Sequence, residues 1–342
     1  MTASVGYYPG CSAHGTGKEY EQSLKVVTRA LAVQLREVPD WLCCGASSAH
    51  AIDRNLALAL SGDTLAKARD AGLDQVLAPC AMCYSRLATA VHELHEDPAL
   101  AVRLDRALGR EPSGLDQVKA LSLLDWLNAM PDEALAAPVR RPLAGLKVAC
   151  YYGCLLVRPR SITGAANAEA PRDMERVVRL LGGEPVRWTM AVECCGGSFA
   201  LSDKDVVLRQ GRIVVDHARS AGADVVAVAC PMCQANLDMR QAEFSPKTAA
   251  LPVLYLTQLM GLAYGASEKE LGFPGHFVSP GPTLAAVAAR TAAEAAAKAA
   301  APAPRAKAAP RPAPAPPAET SSPAPKPSPE SLPQASGANP EG

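Results

Sequence analysis

The sequence predicts an α/β protein of two similar halves, each a small parallel sheet flanked by helices, followed by an Ala/Pro-rich tail. Three observations carry this. First, the chain repeats itself: its cysteines read C-x31-CC-x35-C-x2-C and then C-x39-CC-x34-C-x2-C, and an internal repeat fixes architecture before anything else. Second, strand-like runs alternate with helical periodicity in each half, as in βα units. Third, the composition breaks near Pro280, with fifteen of the 30 prolines in the last 63 residues. The implied domains are 1–142, 143–279 and 280–342.

The two halves follow one rhythm. Each opens on a short strand, "SVGYYP" or "LKVACYY". A helix with apolar residues at three-to-four spacing follows, "YEQSLKVVTRALAVQL" or "DMERVVRLLGG". Then comes a loop holding adjacent cysteines. A second helix runs to a glycine stop at "KARDAG" or "DHARSAG". The β-branched runs "LDQVLAP" and "ADVVAVA" read as buried parallel strands that turn into a helix at the C-x2-C pair. Residues 98–142 read as a helical connector, and "PVLYLTQLMGLAYG", residues 252–265, as a terminal helix. In the tail, the Ala-rich start suits a helix. The Pro-rich remainder has too few large apolar groups to bury and is expected to be disordered.

Composition excludes several classes. Lys plus Arg equal Asp plus Glu, 34 each, so no bulk charge draws the chain to nucleic acid or an anionic membrane. No apolar run reaches the length of a membrane span. "MTASVGYYPG" lacks the basic and apolar regions of a secretory signal, so a cytoplasmic protein is expected. Eleven cysteines there read as metal ligands or catalytic thiols rather than a disulfide framework.

Ten of the eleven fall into the repeat: Cys11, Cys43, Cys44, Cys80 and Cys83, then Cys154, Cys194, Cys195, Cys230 and Cys233. On the predicted elements each set gathers at the carboxyl ends of parallel strands, where open α/β folds bind ligands. Gly45, Gly196 and Gly197, after the vicinal pairs, let the backbone bend closely around a bound group. Helix starts at Cys80 and Cys230 favour negative charge. Three fillings compete. Vicinal disulfides are strained and strand a fifth cysteine in each half. Zinc takes four thiolates, one fewer than each set offers, and suits one half better than both. An iron–sulfur cluster spreads its irons over several ångströms, so neighbouring cysteines reach different irons.

These motifs, "CCG" with one upstream Cys and a downstream C-x2-C, twice over, resemble the cysteine-rich CCG domain. The chain is similar, over residues 1 to about 265, to the B subunit of heterodisulfide reductase and its bacterial relatives. The resemblance implies two CCG-type halves about a pseudo-twofold axis and two noncubane [4Fe-4S] clusters. Cys11, Cys43, Cys44, Cys80 and Cys83 would hold the first, and Cys154, Cys194, Cys195, Cys230 and Cys233 the second. It also implies reduction of a disulfide, or thiol oxidation in reverse, between facing clusters. Electrons would come from a ferredoxin-like C subunit, itself fed by a flavin-containing A subunit. CCG domains occur too in succinate, glycerol-3-phosphate and lactate oxidoreductases that pass electrons toward quinone. The second x34 interval is one residue shorter than the pattern, and Cys150 and the tail match no part of it.

Other residues weigh less. His14 reads as a surface or outer histidine. His50 and Ser198 follow the vicinal pairs and are positioned to hydrogen-bond sulfur. Met82 and Met232 read as packing. Trp41, Tyr7, Tyr8, Tyr151 and Tyr152 read as shields against water. Cys150, on a strand, reads as core. No Walker loop and no G-x-G-x-x-G after a strand is present, so this chain is not expected to bind flavin or nicotinamide.

Overall fold

The computed structural model describes residues 3–46, 49–110, 117–246 and 250–300. Strand β1 (Ala3–Tyr7) lies between β2 (Val33–Glu37) and β3 (Gln75–Leu77), and β4 (Lys119–Leu121) joins β3. The second half repeats this with β5 (Lys147–Tyr151), β6 (Glu184–Pro185), β7 (Val225–Val228) and β8 (Val253–Tyr255), in the order β6-β5-β7-β8. All pairings are parallel. The α/β class and the two like halves are therefore as the sequence predicts. Every residue of β7 is buried, the mark of a strand covered on both faces.

Four elements depart from the sequence reading. The helix expected over 20–35 is Lys18–Ala30, because Ala32 takes a positive φ of 54° and turns the chain into β2. Val33, Leu35 and Glu37 then pair with β1 instead of continuing the helical face. The connector is not all helix: Lys119–Leu121 completes the first sheet. Residues 252–265 begin as β8 before the helix Leu256–Ala263. β6 is only two residues long and ends at Pro185. The remaining elements follow the pattern. Asp53 and Asp203 cap the helices after the two cysteine loops, accepting from Leu56 N–H at 2.8 Å and Val206 N–H at 3.2 Å. Those helices stop before Gly72 and Gly222, both at positive φ.

The Ala-rich start of the tail forms the helix Gly281–Ala300. Val287 is buried, Arg290 bonds Asp224 and the Gly145 carbonyl, and Thr291 bonds the Ala144 carbonyl. The Pro-rich remainder lies outside the described residues.

One buried seam joins the halves. Helix Lys18–Ala30 packs on helix Leu256–Ala263. Between them Ser23 Oγ and Thr257 Oγ1 stand 2.7 Å apart, and the Tyr20 and Tyr255 rings stack at 4.2 Å. The connector ties to the second half as well: Arg176 reaches Asp132, Asn128 and the Met130 carbonyl.

Candidate metal centre

In both sheets the central pair, β1/β3 or β5/β7, is where connections leave in opposite directions. That switch point opens a crevice beyond the strand ends, and the cysteines occupy it. Cys11 follows β1, and Cys80 follows β3 as N-cap of the helix Ala81–Glu96. Cys43 and Cys44 sit on the loop after β2. Cys154, Cys194, Cys195, Cys230 and Cys233 take the equivalent places.

The thiols touch in the same pattern twice. Cys44 Sγ lies 3.4 Å from Cys83 Sγ, and Cys195 Sγ 3.5 Å from Cys233 Sγ. Cys80 bonds Cys83, and Cys230 bonds Cys233. The outer pairs are Cys11 with Cys43 and Cys154 with Cys194. Cys80 also meets Cys230, so the two sets touch across the seam. The inner members of each set are buried, whereas Cys11, Cys43 and Cys194 are exposed.

Backbone and side-chain donors point at these sulfurs. Gly196 N–H donates to Cys194 Sγ at 3.3 Å. Asn236 Nδ2 donates to the Cys195 carbonyl at 3.2 Å and lies 3.7 Å from its sulfur. Cys194 is pulled down to about 6, first by the Cys154 thiol and then, against burial, by the Gly196 and Gly197 amides. Cys44 falls to about 7, first through Cys83 and then, against burial, through the Ala46 amide and the Arg86 charge. Such thiols are ready to ionise and bind metal.

Two devices escaped the sequence reading. Gly10 and Gly153 each precede the first cysteine of a set, at φ of 67° and 65°. A Cβ on Gly10 would stand 2.9 Å from Cys83 Sγ, and one on Gly153 3.2 Å from Cys233 Sγ. Both glycines thus keep space beside an inner sulfur. Second, Tyr8 and Tyr151 are braces as well as buried cover. Tyr8 Oη donates to the Leu42 carbonyl at 2.7 Å and Tyr151 Oη to the Glu193 carbonyl at 2.6 Å, each just before a vicinal pair.

The donor set fits an iron–sulfur group. All eleven cysteines are free, ten form two like sets, and each set is strung out rather than closed on a point. Among the described residues no three Cys, His, Asp or Glu side chains converge as a single ion requires. A small solvent-open pocket of about 30 Å³ is lined by all five thiols of the second set. Its other walls include Ala81 and Met82 of the first half and Tyr152, Leu155, Met232 and Ser198 of the second.

The CCG cysteine-rich domain profile matches residues 5–88 and 148–238, about half of the chain. The chain belongs to the CCG cysteine-rich domain family. A relative from Wolinella succinogenes, the membrane anchor subunit of an 8-methylmenaquinol:fumarate reductase, is 30% identical over 80% of this chain and 96% of its own. The B subunit of a ferredoxin/F420H2-dependent CoB–CoM heterodisulfide reductase from Methanosarcina acetivorans is 29% identical over 79% of this chain and 92% of its own. In fold, the CCG protein resembles a hypothetical protein from Helicobacter pylori at a TM-score of 0.64 and 13% identity. That match covers 82% of this chain and about half, 52%, of the other.

The remaining predicted residues divide. Ser198 reaches the pocket of the CCG protein, while His50 lines a separate hollow with Arg54 and Glu93. His14 is exposed and stacks on Trp41 at 5.8 Å. Met82 and Met232 are pocket wall. Cys150 is fully buried on β5 and its carbonyl accepts from Trp188 Nε1, which makes it core. Among the described residues no helix is long and apolar enough to cross a membrane.

Proposed function

We propose that the chain is the iron–sulfur subunit of an oxidoreductase complex, acting on a disulfide or, in reverse, on thiols. The observation that carries this reading is the five-thiol set, built alike at both switch points. Cys11, Cys43, Cys44, Cys80 and Cys83 would hold one [4Fe-4S] cluster, and Cys154, Cys194, Cys195, Cys230 and Cys233 the other, both noncubane. When bound, such groups supply one-electron transfer, and a disulfide needs two electrons. The chain's own residues bind and shelter. The Gly196 amide and Asn236 hold the vicinal cysteines, Tyr8 and Tyr151 fix their loops, and Met82, Leu155 and Met232 form apolar wall beside the thiols. Relatives that are B subunits of ferredoxin-linked heterodisulfide reductases support the disulfide as substrate and membership of a complex. The family resemblance implies a cytoplasmic complex with a ferredoxin-like C subunit and a flavin-containing A subunit as the partners.

One observation favours a second reading, electron transfer toward quinone in a succinate-, glycerol-3-phosphate- or lactate-type oxidoreductase. Besides the five thiols of the second set, the pocket walls are mostly apolar and hold no Lys, Arg or His. Such walls suit a neutral, apolar molecule such as a quinone. The Wolinella relative, which belongs to a methylmenaquinol-dependent reductase, points the same way.

The experiment is metal and sulfide analysis of protein purified without oxygen, followed by reoxidation of the reduced protein. About eight iron and eight sulfide per chain support two clusters, while about four iron with one zinc leaves one redox site. Reoxidation by disulfides selects the first reading, and reoxidation by a menaquinone analogue alone selects the second. Cys44→Ser and Cys195→Ser should each remove the iron of one half, and full iron and activity in both variants would sink the cluster assignment.

A further inference from the structure

Tyr255 ends β8 at the seam between the halves. Its ring lies flat on Tyr20, at 4.2 Å and 7°. The two hydroxyls differ in one respect. Tyr20 Oη donates to the Pro79 carbonyl, next to Cys80, at 3.2 Å. Tyr255 Oη is fully buried and has no hydrogen-bond partner among the described residues. A buried hydroxyl left unpaired is uncommon in a native protein and calls for a reason. Of the charges bearing on this phenol, Cys230 acts most strongly, ahead of Glu19, Cys80 and Asp238. A phenol hydroxyl of this kind is a hydrogen-bond donor.

We propose that the Tyr255 hydroxyl donates a hydrogen bond at Cys230 to the cluster of the second set and raises its reduction potential. The inference rests on the cluster reading above. A donor aimed at cluster sulfur stabilises the reduced, more negative state, and such bonds are among the levers that set cluster potentials. Tyr20 contributes position: its hydroxyl is already engaged, and its ring holds Tyr255 in place. Nothing in the two cysteine motifs points to Tyr255, which follows Cys233 by more than twenty positions and reaches the thiols only through the fold.

The test compares Tyr255→Phe and Tyr20→Phe with the wild type. Iron and sulfide are measured on each anaerobic protein, and potentials are read by titration monitored with electron paramagnetic resonance. Tyr255→Phe should keep its iron and show a lower potential, by about tenfold in the redox equilibrium, or ~59 mV per electron. Tyr20→Phe should leave the potential in place. An unchanged potential in fully loaded Tyr255→Phe overturns the inference and leaves the cluster reading standing. A wild type without iron overturns both. Metal-free protein gives an independent readout. There Tyr255→Phe should melt at or above the wild-type temperature, because it removes an unpaired hydroxyl, whereas Tyr20→Phe should melt lower. A fall for Tyr255→Phe matching that of Tyr20→Phe would reveal a partner within the protein and overturn the inference.

Discussion

Gly10 and Gly153 show how much one missing carbon does here. Each holds a left-handed backbone and leaves room beside the second sulfur of a C-x2-C pair. Gly10→Ala should cost about 1–2 kcal/mol in backbone strain alone and push the Cys83 sulfur aside. Iron per chain should fall toward half, from about eight to about four, and metal analysis beside a thermal melt checks both effects. Gly153→Ala should do the same in the other half, more mildly, since its contact is looser. Asn236 braces the second vicinal pair from a buried position. Asn236→Leu should leave the Cys195 carbonyl unpaired and cost about 1–3 kcal/mol, read as a lower urea midpoint. At this scale the ten thiols were legible from spacing alone. The glycines stood in plain view as "PGC" and "YGC", yet their need was hidden, because the sulfur that each one spares lies far along the chain.

At the scale of elements, the helices and the central strands were legible and the edge strands were not. β7 announces itself by a β-branched run buried on both faces, and β1, β3 and β5 by short runs whose later residues are buried. β2 hides because its residues continue the apolar spacing of the preceding helix until Ala32 breaks the turn. β4 and β8 are three residues each, too short to display a period, and they exist because a neighbouring strand offers its free edge. The helix Gly281–Ala300 gains its place from a few side chains, chiefly Arg290 on Asp224. Burial raises the Asp224 carboxyl, but Arg290 and the Lys147 amide outweigh it and hold the group below its ordinary 3.8. A depressed carboxyl stabilises fully above its unfolded value and loses that contribution as pH falls through the folded value. This helix should therefore loosen below about pH 4. Arg290→Ala should loosen it at neutral pH too, only slightly for so exposed a pair, and hydrogen exchange over residues 281–297 measures the change.

For the whole molecule, the seam makes two copies into one cooperative body. Ser23 and Thr257 bond each other from opposite halves, both buried, under the Tyr20–Tyr255 stack. Calorimetry should show a single transition for the metal-free protein, not one per half. Ser23→Ala should lower it by ~2 °C or more, since about 1 kcal/mol moves a chain of this size that far. The seam also has a consequence for the order of synthesis. The strands of the first sheet have all emerged once Leu121 is made, but Tyr255 and Thr257, the seam partners of Tyr20 and Ser23, come much later. At about 5–20 residues per second, a nascent chain waits on the order of ten seconds between the two. During that interval Cys80 lacks the Cys230 thiol that meets it in the finished fold, and the first set is open to a cluster-delivering protein or to an oxidant. The last strand made is the one that closes the seam.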